Sequence, residues 1–196
     1  MRCSEIFTII YRSVYGILDL RNGEVIGARD GAAHVLRCLK VWYDLPADVL
    51  ISAINLFDRF LTKMKVRPCH VPCITVSCMN IALEQYAADT NTKRMSISQS
   101  ACTAGDVTRM SRVISDKLSV AGGGRAVTAL HWLRLLRRML MLHLESELVH
   151  LLEIVSCDAA CVNARTSELA LVLLYHKLGE LRCTITQVIP EGGWRR

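Results

Sequence analysis

The chain has 196 residues, 52% of them hydrophobic, and a formal net charge of +6. That is enough apolar content for one large or two small domains with a real core, as in a folded intracellular protein. The charge suits acidic partners, but the basic residues gather into no long run, so composition makes no case for nucleic-acid binding.

Met1 to Leu20 is apolar in patches that Glu5 and Arg12 interrupt, and no small-residue cleavage site follows, so neither a signal peptide nor a membrane span is expected there. Pro46 and Asp48 suit a helix start, and the pattern predicts a helix over about 48–64. Leu50, Ala53, Ile54, Phe57, Leu61 and Met64 form its apolar stripe, with Asp58 set beside Phe57, Phe60 and Leu61. A carboxylate in such a place needs a cation. Pro68 and Pro72 bracket the entry to a very apolar segment, 73–83. Its β-branched start, Cys73 to Ser77, is compatible with a strand, but length and position favour a buried helix. Residues 88–95 are polar and read as loop. Thr103 and Asp106 have the spacing of a capping pair before Val107, Met110, Ile114 and Leu118, which share one helix face. Ala121-Gly122-Gly123-Gly124 is the clearest break in the chain.

Beyond the glycines, helices are expected near 126–142, 145–160 and 166–178. Only 17 residues follow Gly179, without an apolar repeat of helical period. Arg134, Arg137, Arg138, Glu145 and Glu147 rule out a membrane span over 127–152. The basic amphipathic stretch His131 to Arg138 has the look of a calmodulin-binding or membrane-surface helix, yet a domain helix with solvated arginines explains it better.

Nine cysteines, an odd number without a secretory leader, argue for reduced thiols acting as small core residues. Cys69, His70, Cys73 and Cys78 lack the two separated pairs of a zinc site, and Cys157 with Cys161 has no third ligand nearby. His143 and His150 flank Glu145 and Glu147 without the His-Glu-x-x-His arrangement. No nucleophile, base and orienting group stand at a recognisable spacing, so no enzyme, cofactor or metal is expected.

The string Asn55-Leu56-Phe57-Asp58-Arg59-Phe60-Leu61, continued by Lys63-Met64-Lys65-Val66 and Pro68-x-His70, closely resembles the second helix of the cyclin box as it occurs in G-type cyclins. Ala28-Arg29-Asp30 falls where the cyclin family has the Arg that pairs with this Asp, so the resemblance makes Arg29 the expected partner of Asp58. Ser77 to Ala82 is similar to the third box helix, Ile97-Ser98-Gln99 to the fourth, Asp106-x-x-Arg109-Met110 to the fifth, and Ala164 to Leu171 to the third helix of a second box. The implied architecture is all-α: an N-terminal extension (1–27), a complete five-helix cyclin box (28–120), a Gly-rich linker (121–125) and a partial second box (126–196), in the G-type or related I-type group.

The resemblance implies a non-enzymatic regulator, nuclear and cytoplasmic, that modulates a cyclin-dependent kinase in cell-cycle control. It also implies association with regulatory subunits of protein phosphatase 2A. Activating cyclins grip the kinase with a Lys at the end of the third helix and a Glu in the fifth; the matching positions here are Glu84 and Ser111. Each lost hydrogen bond to a charged group costs about 1.5–3 kcal/mol, and the reversed charge adds repulsion. The family's substrate-docking patch is large and apolar, whereas Ala28, Gly31 and Ala32 stand at its positions. Both departures argue against activation by the usual geometry. A divergent scaffold that binds no kinase, and a cyclin-fold transcription-factor-like protein associated with nucleic acid, are the alternatives; the lack of a basic stripe with interleaved aromatics disfavours the second.

Overall fold

The computed structural model describes residues 24–90, 102–120, 126–139 and 144–188. Among them are seven α-helices: α1 (Glu24–Trp42), α2 (Ala47–Lys63), α3 (Val71–Thr90), α4 (Ala104–Leu118), α5 (Ala129–Met139), α6 (Glu145–Ser156) and α7 (Thr166–Val188). Two 3-10 turns, Pro68–His70 and Ala159–Cys161, precede α3 and follow α6, and no strand occurs among the described residues. The fold is all-α.

Local chemistry sets the helix ends. α1 stops at a left-handed Asp44 (φ 47°), with Leu45 N–H donating to the Lys40 carbonyl and Asp44 N–H to that of Val41. The same closing pattern ends α4 at Ser119 (φ 55°), where Val120 and Ser119 donate to Ser115 and Asp116. Thr103 and Asp106 form a reciprocal capping box at the start of α4. Pro68 keeps Arg67 extended (ψ 142°) and so separates α2 from the turn that leads into α3.

α3 is the centre of the first helical unit, packed by α1, α2 and α4. It is apolar nearly all round, and Val71 through Met79 are buried. Its two buried hydroxyls are satisfied internally: Thr75 donates to the Val71 carbonyl and Ser77 to the Val107 carbonyl on α4. On α2, Leu50, Ala53, Ile54 and Phe57 are buried while Leu61, and Met64 just past the helix end, are partly covered. On α4, Val107, Ile114 and Leu118 face the core.

α5, α6 and α7 enclose a second core of Ala129, Leu130, Leu133, Leu148, Leu152, Ala170, Leu173 and Leu174. The cores interlock. Ile51 of α2 belongs to the second, and Cys157, at the end of α6, belongs to the first.

Several elements differ from the sequence expectation. α3 continues to Thr90, through the first residues of the expected loop. α7 runs through Gly179 to Val188 rather than ending near 178, because an exposed glycine weakens a helix without terminating it unless the chain turns left-handed there. α6 ends at Ser156, and a tight turn fills 159–161. The expected fourth box helix at Ile97-Ser98-Gln99, the glycine linker and the N-terminal extension before Glu24 lie outside the described residues.

Candidate partner-binding surface

The buried charge on α1 organises the site. Arg29 is 5% exposed, and its Nε and Nη2 donate to Oδ1 and Oδ2 of Asp58 on α2, both at 2.9 Å. The fork is bidentate, the geometry that best repays desolvation of a guanidinium. Nη2 also donates to the Ser156 carbonyl at 2.7 Å, at the C-terminal end of α6, and Nη1 lies 3.4 Å from Asp30 Oδ1. One side chain thus ties α1, α2 and α6 together, and its cation meets the negative end of the α6 dipole. Burial works against the charge on Arg29, but the Asp58 carboxylate outweighs it and holds the guanidinium above its ordinary pKa.

Two more ion pairs join the helical units. Arg134 on α5 donates to both carboxylate oxygens of Asp48 on α2, at 2.6 and 2.9 Å. Burial would raise the Asp48 pKa; the Arg134 hydrogen bonds prevail and hold it below the carboxylate range. Lys40 on α1 reaches buried Glu153 on α6 at 2.9 Å. Arg137 and Arg134 both approach Glu145. These partners account for the basic stretch His131–Arg138 as a domain helix: Leu130 and Leu133 are core, and two of its arginines hold acids.

Sequence reasoning found Arg29 with Asp58 but missed Ser156, Lys40–Glu153 and Asp48–Arg134. Those partners are 127, 113 and 86 residues apart, and no local spacing records them.

The positions matching the family's kinase grip lie on α3 and α4, which pack together: Glu84 is exposed and Ser111 half-exposed. Of the docking-patch positions, Ala28 is half-buried while Gly31 and Ala32 are buried. Gly31 and Ala32 are taken up in the packing of α1, and of the three only Ala28 lies partly at the surface. Small side chains bring backbones close, and Cys157 Sγ lies 3.8 Å from the Ala33 carbonyl in this contact.

Of the described cysteines, Cys73, Cys78 and Cys157 are buried core residues, Cys38, Cys102 and Cys161 are half-buried, and Cys69 is exposed. Burial pushes Cys78 far up, and it raises Cys157 as well. Among the described residues no three His, Cys, Asp or Glu side chains converge as metal ligands, and no helix is long and apolar enough to cross a membrane.

Residues 23–121 match the family described as Cyclin, N-terminal domain. The chain belongs to the cyclin family. It is 40% identical over 197 aligned residues to Cyclin G of Drosophila melanogaster, covering 88% of this chain and 34% of that protein. To human Cyclin-G2 it is 33% identical over 160 residues (76% of this chain, 46% of that protein), and to human Cyclin-G1 29% over 168 (79% and 56%). These relatives are all G-type, and the chain is a G-type cyclin spanning about a third to a little over half of their length.

Proposed function

We propose that this cyclin is a non-catalytic subunit that binds and modulates a cyclin-dependent kinase in cell-cycle control, with a weakened grip. The match of residues 23–121 to the cyclin N-terminal domain carries this reading. The clamp of Arg29 on Asp58 supports it, because it braces the two helices on which the box is assembled. Cyclins of this kind do no chemistry themselves; they press on the kinase's mobile helix and help set the Lys–Glu ion pair that aligns ATP.

Exposed Glu84 replaces a cation by an anion, and Ser111 replaces an anion by a hydroxyl. The double change Glu84→Lys with Ser111→Glu restores both charges. It is expected to tighten binding to a purified cyclin-dependent kinase by about tenfold, equivalent to about 1.4 kcal/mol, measured by titration calorimetry against the unmodified chain. No gain, with the variant's melting temperature unchanged, would transfer the assignment to the scaffold reading, in which protein phosphatase 2A regulatory subunits are recruited instead.

A further inference from the structure

At the end of the first helical unit, α2 stops, α3 begins and α4 stops, and Lys63, Lys65, Arg67, His70 and Lys117 are all exposed there. Lys63 Nζ donates to the Lys117 carbonyl at 3.1 Å, which brings the ends of α2 and α4 together although they are 54 residues apart. No acid occurs in the sequence from Arg59 to Leu83, and Asp116, on the last turn of α4, is the one beside Lys117. None of these five side chains makes an ion pair with another described residue, whereas Arg29, Lys40, Arg109, Arg134, Arg137, Arg165 and Lys177 all do. Arg37, Arg59, Arg112 and Arg138 are likewise without an acidic partner among the described residues, but only at this end do several such side chains gather.

We propose that this end is a docking surface for an acidic, extended polypeptide segment. Charge complementarity selects an anion, and clustered cations of one sign raise its encounter rate. Backbone chemistry selects a polypeptide among anions. α2 terminates here with the Leu61, Thr62 and Lys63 carbonyls accepting from no other described residue, whereas the last turn of α4 is closed by Ser119, Val120 and Lys63. A peptide brings N–H groups for those carbonyls together with carboxylates for the lysines. Phosphodiesters bring further acceptors only and leave those carbonyls without a donor. No Phe, Tyr or Trp stands among the residues of this end for bases to stack on, and Val66, the apolar residue between Lys65 and Arg67, is half-buried and so offers no wedge for a lipid surface. The surface uses neither Glu84 nor Ser111, so its test does not depend on the proposed kinase grip.

The test is fluorescence anisotropy of the whole chain with a labelled peptide of alternating Glu and Ser, beside labelled duplex DNA and phosphatidylserine vesicles. The peptide is expected to bind best of the three and to weaken as salt is added. Lys63→Glu with Lys65→Glu and Arg67→Glu should weaken peptide binding by about tenfold or more, while Arg138→Glu, an exposed cation on α5, should leave it unchanged. Should the triple variant misfold, Lys65→Ala in the exposed loop is expected to weaken binding in the same direction without changing the melting temperature. Absence of peptide binding, equal binding by the folded variants, or tighter binding of duplex or vesicles would overturn the proposal.

Discussion

Asp58 shows how much a single residue decides. It is 17% exposed and sits one position after buried Phe57, so its charge is tolerable only because Arg29 meets it with two parallel hydrogen bonds. Removing one partner of such a pair strands the other, at a cost of about 3–5 kcal/mol when burial is complete. Asp58→Ala is therefore expected to cost about 3 kcal/mol, the lower end because Asp58 retains some solvent. The check is urea unfolding, where the midpoint should fall with an unchanged slope. An unmoved midpoint would mean that Asp30 and the Ser156 carbonyl satisfy Arg29 unaided.

Among the elements, α7 departs furthest from what its sequence suggests. Gly179 has the appearance of a helix terminator, yet the helix continues for nine more residues, and a methyl group added at Gly179 would meet nothing within 4 Å. A mid-helix glycine in open space carries only its entropic penalty. Gly179→Ala is expected to stabilise the protein by about 0.5–1 kcal/mol, which corresponds to a rise of roughly 1–4 °C in Tm. A fall in Tm would place Gly179 in a left-handed cap and end α7 there. The same helix buries Ala170, Leu173 and Leu174 while Leu171, Val172 and Tyr175 face solvent, Tyr175 at 81% exposure. α7 is thus apolar on both sides but packed on one.

Across the whole molecule, the helical units are held together by charge as well as by interlocking cores. The α1–α6 and α2–α5 pairs flank the Arg29 clamp, and each joins residues far apart in the chain. Asp48 makes this arrangement sensitive to acid. Its folded pKa is depressed, so its contribution is fully present above the ordinary carboxylate value of about 4 and is lost as pH falls through the lower folded value. Asp48→Asn should lower stability at neutral pH by about 1 kcal/mol, since Arg134 is partly solvated. The gap from the parent should close as pH falls below about 4. Chemical unfolding across a pH series measures this, and a gap that persists in acid would mean that Asp48 acts through packing alone.

The sequence by itself determined α2 and α4, the capping box at Thr103 and the need of Asp58 for a cation, because each rests on spacing within a few turns of chain. The choice of Arg29 came from resemblance to a family. The exposure of Glu84 followed from its place after Ile81 and Leu83 at the far part of an apolar run. The burial of Gly31 and Ala32 was illegible, because small residues suit a surface groove or a close helix contact equally well. Only the tertiary structure decided that Arg29 also holds the end of α6, that Asp48 and Arg134 meet, and that Lys117 joins Lys63 at one end of the bundle. Helical periodicity records which face of an element is apolar, but it carries no information about which distant charge will be brought against that face.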